Sequence, residues 1–174
     1  MASIKRTRRG DQTLRSGRRN RVSYCHVLCL PGHLAFLSLP AGRDKQGRND
    51  FIAFVDSFLK GHEDQPYQYV GLDVYGARCA VLHAFSAEVD FHQQNPDAKV
   101  FGYHDGGQHT FDPAQNEKLV LIGSASFIND VVLAVQAFCD RCQEDPDLRQ
   151  RAEGRLPQLL ATFPALASGQ AEPD

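Results

Sequence analysis

Apolar residues recur every three or four positions along much of this sequence, and this spacing is the feature that most restricts its fold. In the longest such stretch they are Phe127, Val131, Ala134, Val135, Phe138 and Cys142. This spacing puts them on one face of an α-helix, and such a face has to be buried against other elements. We therefore predict a long helix capped by Ser124 or Ser126, with this face turned inward.

Two further segments predict helices with recognisable ends. One begins at an N-cap at Asn49 or Asp50 and is stopped by Gly61. Its apolar residues are Phe51, Ile52, Phe54, Val55, Phe58 and Leu59. The other begins at residues 145–146 and is kinked or divided at Pro157. Its apolar residues are Leu148, Leu156, Leu159 and Leu160.

Residues 70–85 predict a helix that carries the most suggestive polar residues of the chain. Its expected core-facing residues are Leu72, Tyr75, Cys79 and Leu82. Arg78 and His83 lie off that face, about 140° apart around the helix axis at about 100° per residue. A short helix over residues 33–39 is a further expectation.

The pattern changes to that of β-strands between residues 95 and 123. Residues 100–103 precede the turn sequence Asp105-Gly106-Gly107, and residues 109–111 follow it. We expect these two segments to form a β-hairpin, with residues 118–122 as a strand beside it.

The length and composition favour one globular domain. The chain has 174 residues, of which 42% are hydrophobic and 23% charged. Its apolar runs, such as 119–122, are far shorter than the roughly 20 residues that span a bilayer. We predict a single, mainly α domain over 24–163, with a small β-hairpin or short sheet inserted before the last long helix, and a disordered tail over 164–174. One core is expected to contain Phe54, Tyr75, Phe127, Val131 and Phe138.

The N-terminal segment, residues 1–23, is strongly basic. It holds eight Lys and Arg residues against one acidic residue, Asp11, which gives a net charge of +7. With so little apolar surface it is predicted to be a disordered arm. A solvated tail, sequence upstream of the true start codon, a nucleic-acid-binding arm and a transit peptide are all compatible with this composition.

The five cysteines predict neither disulfides nor a metal centre. Their odd number and scattered positions favour a reducing, cytoplasmic compartment. Cys139 and Cys142 form a CxxC pair inside a predicted helix, without a second pair. His104 and His109 are not at zinc-finger spacing and are expected to be exposed loop residues. No cofactor is expected.

The sequence Arg78-Cys-Ala-Val-Leu-His83, an Arg and a His separated by four residues with Tyr75 ahead of them, carries the candidate chemistry. Together with the helix before it and the β segment after it, this motif resembles the signature of the HEPN superfamily of helical domains. The resemblance covers roughly residues 50–143 and implies a HEPN-like helical bundle.

The family implies metal-independent cleavage of RNA by a homodimer, in which the motif helices of two protomers face each other. Attack by the RNA's own 2′-hydroxyl needs a group that exchanges protons near neutral pH, as histidine does. It also needs a donor that stabilises the growing negative charge on phosphate, as a guanidinium does. His83 is therefore the predicted general acid or base and Arg78 the phosphate clamp. Tyr75 and Asp73 are secondary candidates for substrate contacts.

Alternatives to catalysis remain open at the sequence level. Active HEPN members typically have Asn, Asp or His after the Arg, whereas this chain has Cys79. A non-catalytic HEPN-like module that binds RNA, a nucleotide or a protein partner is therefore the alternative function. In a purely structural role, Arg78 would pair with Asp73 or Asp90. The resemblance also implies a stress, toxin or defence system, with an antitoxin or operon partner.

Overall fold

The computed structural model of the protein describes residues 26–59, 65–84 and 90–159, except for the side chains of residues 83 and 84. The predicted basic arm and C-terminal tail both lie outside these residues. Within the described ranges, no helix combines the length and the apolar character needed to cross a membrane.

The described chain is mainly helical, with a small sheet placed between the fourth and fifth helices, as predicted. The helices are α1 (residues 26–37), α2 (Arg48–Phe58), α3 (Gly71–Ala84), α4 (Asp90–Gln94), α5 (Ser124–Glu144) and α6 (Pro146–Leu159). The strands are β1 (Val100–His104), β2 (Thr110–Phe111) and β3 (Leu119–Gly123).

The strand pairing differs from the predicted hairpin. β3 is the central strand: β1 runs parallel to it, with Phe101 opposite Val120, and β2 runs antiparallel to it, with Phe111 opposite Val120. The hairpin between residues 100–103 and 109–111 was therefore wrong. Val120 and Ile122 are fully buried, and a strand with such an apolar inner face is favoured at the centre of the sheet.

The N-terminus of α2 is shifted from its predicted position. Its N-cap is Gly47 instead of Asn49 or Asp50. The Oδ2 of Asp50, at the third helical position, accepts a hydrogen bond from the Gly47 N–H at 2.7 Å. The helix ends at Phe58, and the predicted stop, Gly61, lies outside the described residues.

The beginning of α5 is held by the loop that follows β1. The N-cap is Gly123, which corrects the prediction of Ser124 or Ser126. The two serine hydroxyls donate instead to backbone carbonyls, that of Ser124 to His104 and that of Ser126 to Gly107. The inward face of α5 is confirmed, because Phe127, Val131, Ala134 and Phe138 are buried.

The helix α3 packs on α2 through its backbone. A Cβ added to Gly71 would lie 2.5 Å from the carbonyl oxygen of Ile52, so only glycine fits there. The Gly71 N–H donates to the Oδ1 of Asp56 at 2.6 Å, and this bond satisfies a free donor of the first helical turn.

The buried face of α3 is not the predicted one. Small residues pack inward, because they allow close approach to α2 and β1: Val74, Ala77 and Ala80. The predicted core-facing residues are only partly buried, and Leu82 is 37% exposed. The prediction of this face was therefore wrong.

The apolar interior forms two clusters instead of the one predicted core. Phe127 and Val131 belong to the first cluster, and Tyr75 packs at its border. Phe54 and Phe138 belong to the second, with ring centroids 5.8 Å apart.

The last helix, α6, continues through Pro157 without division and joins α1 through a buried arginine. The guanidinium of Arg155 donates hydrogen bonds to the backbone carbonyls of Leu37, Leu39, Pro40 and Arg43. These bonds tie the C-terminal end of α1 and the loop after it to α6.

Candidate functional site

Both residues of the predicted motif lie on α3, Arg78 in its middle and His83 in its last turn. The side chain of His83 is outside what the structure describes. Arg78 lies between α1 and α2: a Cβ added to Gly32 of α1 would lie 3.9 Å from its Nε, and its guanidinium lies over the Phe51 ring of α2. The structure therefore describes the side chain of Arg78, whereas for His83 it describes the backbone alone.

The guanidinium of Arg78 lies over an aromatic ring and has no acidic partner among the described residues. Its Cζ is 5.5 Å from the centroid of the Phe51 ring, and its Nε is buried without a hydrogen-bond partner. The ion pair with Asp73 or Asp90 that the sequence left open does not form. The charge of this half-buried group is therefore available to an external anion.

Asp73 has a structural role that accounts for its burial. Its Oδ2 accepts hydrogen bonds from the Tyr67 hydroxyl at 2.6 Å and from the Val70 N–H at 3.2 Å. Its Oδ1 accepts a third bond from the Lys99 N–H at 2.8 Å. The carboxylate thus caps the start of α3 and joins it to the chain just before β1, so its oxygens are directed at the protein.

Tyr75 lies in an aromatic group between α2, α3 and α4. Its ring packs edge-on against Phe51 at 5.5 Å and tilted against Phe91 at 5.4 Å. Partial burial raises the pKa of its hydroxyl, and the neighbouring Cys79 thiol adds to the effect, while the charges of Arg78 and Arg48 oppose it. The hydroxyl therefore stays protonated at neutral pH and remains a donor.

A second arginine in this region was missed by the sequence interpretation. The Cζ of Arg48 lies 5.0 Å from the ring centroid of Phe91 and 5.8 Å from that of Tyr75. Its guanidinium donates to the amide oxygen of Asn95 at 2.7 Å. Its position in the sequence could have pointed to Arg48. A cation in the first turn of a helix opposes the helix dipole, and it therefore suggests a role other than helix stability.

Four of these side chains form one surface above the buried ring of Phe51, and we call it the arginine–aromatic surface: Arg48, Tyr75, Arg78 and Phe91. Two guanidinium groups flank an edge-to-face pair of rings, and neither guanidinium is paired with a described carboxylate. Such a surface presents fixed hydrogen-bond donors and positive charge, which suit phosphate groups.

The histidines of the β region occupy positions that differ from the predicted loop. His109 is fully buried, which corrects the expectation that it is exposed, and its Nε2 lies 3.3 Å from the Oδ2 of Asp130. The same oxygen accepts the Tyr69 hydroxyl at 2.6 Å. His104 is half-buried, and its Nδ1 accepts the Gly106 N–H at 3.0 Å. The group around His109 is closed to substrates, so we assign it a structural role.

The cysteines of α5 and a cleft beside α2 are the other candidate sites. Cys139 is exposed and Cys142 is half-buried, and burial raises the pKa of Cys142. Among the described residues, no three or more His, Cys, Asp or Glu side chains are grouped to hold a metal ion. A cleft of about 180 Å³ beside α2, lined in part by Asp50 and Ser57, does not include Arg78.

In comparisons with known proteins, the chain matches no protein-family model, no curated protein and no solved structure. The interpretation of α3 therefore depends on its residues and their surroundings.

Proposed function

We propose that the protein is a HEPN-like, metal-independent endoribonuclease whose phosphate clamp is Arg78. The observation that carries this proposal is the state of its guanidinium, which is half-buried on the Phe51 ring and has no carboxylate partner among the described residues. Partial burial of a cation without an acidic partner costs free energy. An anionic ligand at this position would offset that cost.

In the proposed reaction, the 2′-hydroxyl oxygen of the RNA attacks the adjacent phosphorus while a general base removes its proton. The bond from phosphorus to the 5′-oxygen breaks, and that oxygen takes a proton from a general acid. The products are a 2′,3′-cyclic phosphate and a 5′-hydroxyl end. His83 carries one of these protons, and Arg78 stabilises the additional negative charge on the phosphate.

A homodimer completes this proposal, because one α3 supplies a single motif histidine for two proton transfers. A twofold copy would bring a second Arg78 and His83 to the same RNA. By the same resemblance, we infer a cytoplasmic role in stress, toxicity or defence, with an antitoxin or operon partner that blocks the site.

The second candidate function is a HEPN-like module that binds RNA without cleaving it. The observation in its favour is Cys79, whose thiol contacts the Tyr75 hydroxyl. Active members of the family typically have Asn, Asp or His at this position. A nucleotide or a protein partner would be the other ligand classes for such a module.

The test uses the purified full-length protein with a labelled RNA that has single-stranded and hairpin regions, in buffer with EDTA. We expect cleavage that leaves cyclic-phosphate ends, reduced on the order of 10²-fold or more in both Arg78→Gln and His83→Ala. Arg149→Gln, which removes an exposed charge on α6, is the matched control. Binding by an inert wild-type protein would support the module instead, and cleavage that persists in both variants would contradict the assignment of this site.

A further inference from the structure

We propose that Arg48 is a second phosphate-binding residue, so that the site binds a nucleic-acid strand through two neighbouring phosphates instead of a single nucleotide phosphate. This inference rests on the proposed function, because it adds a contact for the same RNA. The substrate class would then be an oligonucleotide. Arg48 lies on α2, whereas the motif residues lie on α3.

Arg48 differs from the other exposed arginines in how it is paired. In the described part of the chain those arginines have acidic neighbours: Arg43 lies 2.6 Å from Asp50, and Arg149 lies 3.7 Å from Glu153. Arg48 instead donates to the neutral amide oxygen of Asn95. A guanidinium has five N–H donors, and the described structure gives Arg48 a partner for one of them. The remaining donors and the full charge are free to meet a phosphate.

Arg48 is held in place without being neutralised. Its guanidinium lies near the rings of Phe91 and Tyr75, and the bond to Asn95 fixes its orientation. Aromatic contact orders an arginine side chain and leaves its charge intact. The entropy lost on binding a ligand is then smaller than for a freely moving arginine.

The two cations lie on either side of one pair of aromatic rings. Arg78 lies against Phe51, Arg48 lies against Tyr75, and the two ring centroids are 5.5 Å apart. Both charges thus lie near Tyr75, although they contact different rings: Arg48 contacts the Tyr75 ring itself, and Arg78 contacts the buried ring of Phe51 beside it. Each can bind its own phosphate of one strand.

The experiment measures binding of a fluorescein-labelled single-stranded RNA of 12 nucleotides by anisotropy, at several KCl concentrations, with the full-length protein. Each lost phosphate contact reduces the steepness of log K against log salt by about 0.7 for a single strand. We expect this reduction in both Arg48→Gln and Arg78→Gln, and a several-fold weaker affinity. Arg149→Gln, with the same change in net charge, should retain the wild-type slope.

Further measurements show whether the loss in Arg48→Gln comes from the missing charge, from changed packing or from a folding defect. Arg48→Lys keeps the charge, so it should retain most of the slope, and circular dichroism checks that every variant is folded. An unlabelled dinucleotide with two phosphates should compete better than a mononucleotide for the wild-type protein. We expect that advantage to disappear in Arg48→Gln.

The outcomes distinguish this inference from the proposed function. Arg48→Gln that matches the Arg149→Gln control, while Arg78→Gln loses affinity and slope, would overturn the role of Arg48 and leave Arg78 in place. A wild-type protein that binds no RNA, or an Arg78→Gln variant equal to the control, would overturn the proposed function and this inference with it.

Discussion

The Nε2 of His109 lies 3.3 Å from the Oδ2 of Asp130, and both side chains are completely buried. The Gly123 N–H donates to the Nδ1 of this histidine at 3.1 Å, so Nδ1 is unprotonated. In the neutral ring the proton is then on Nε2 and is donated to Asp130. The Tyr69 hydroxyl donates to the same oxygen, so this network joins the sheet, α5 and the chain before α3.

Replacing His109 by Ala should therefore destabilise the fold strongly. The change removes one donor from the buried carboxylate of Asp130 and leaves a cavity beside the ring of Tyr69, whose centroid is 5.5 Å from that of His109. We expect a loss of about 3 kcal/mol in the free energy of unfolding, typical of a broken buried pair. Urea denaturation followed by circular dichroism measures it, with the half-buried His104→Ala as control. Equal effects of the two substitutions would contradict this role.

Stability should also fall at alkaline pH because of two tyrosines. Burial raises the pKa of Tyr69 and of Tyr67, and hydrogen bonds to Asp130 and Asp73, respectively, raise them further. Above about pH 10 these tyrosines ionise in the unfolded chain while they stay protonated in the folded one. Ionisation then favours the unfolded state, so their contribution to stability is complete below pH 10 and is lost above it.

The measurement is the melting temperature between pH 8 and pH 11. We expect the steepest decline above about pH 10, where the two tyrosines ionise in the unfolded chain. Tyr67→Phe removes one of the ionising groups and should make that decline less steep. The same steepness in Tyr67→Phe and in the wild type would show that Tyr67 does not contribute.

Strong periodicity explains which parts of the fold were predictable. In α5, Phe127, Val131, Ala134 and Phe138 recur every three or four residues, so this buried face could be identified from spacing even though Val132 and Leu133 lie on the exposed side. In α3, apolar residues occur all around the helix. Which face of α3 is buried depends on Gly71 and on small residues that permit contact with α2. The buried face is therefore decided by packing against the neighbouring helix and not by spacing within α3.

The candidate site was predictable only on α3. Arg78 and Tyr75 belong to one local motif, whereas Arg48 reaches the same surface from the start of α2. The burial of His109 likewise depends on Asp130, 21 residues away along the chain. Contacts of this kind follow from the packing of elements and leave no spacing pattern in the sequence.

The close approach of α2 and α3 gives a prediction about glycine. Gly71→Ala would place a Cβ 2.5 Å from the Ile52 carbonyl oxygen, and the Cβ and this oxygen are attached to two helix backbones that cannot shift at low cost. We expect a loss of at least about 2 kcal/mol from the resulting displacement, as in overpacked cores. Gly154→Ala is the matched control, since a Cβ there meets open space in α6.

The control should change stability in the opposite direction. Alanine is favoured over glycine in a helix by up to about 1 kcal/mol, so Gly154→Ala should raise the free energy of unfolding slightly. Chemical denaturation of the two variants in parallel makes the comparison. A neutral effect of Gly71→Ala would show that the two helices are farther apart than this packing requires.

The attachment of α6 to α1 should depend on the shape of the Arg155 side chain as well as on its charge. Its guanidinium donates to four backbone carbonyls, and these bonds need donors that point in several directions from one plane. Lysine carries the same charge at a single point and cannot reach all four acceptors. Arg155→Lys should therefore lower the free energy of unfolding by about 2 kcal/mol, because each abandoned buried carbonyl costs about 1 to 3 kcal/mol and lysine replaces part of the bonds.

Urea denaturation measures the loss, and Arg149→Lys on the exposed side of α6 should have almost no effect. Hydrogen exchange adds a local test, since the Leu39 and Arg43 amides, which bond to the carbonyls of Phe36 and Pro40, should exchange faster in Arg155→Lys. Unchanged stability together with unchanged exchange would mean that the planar fork of Arg155 is not needed to hold α1 to α6.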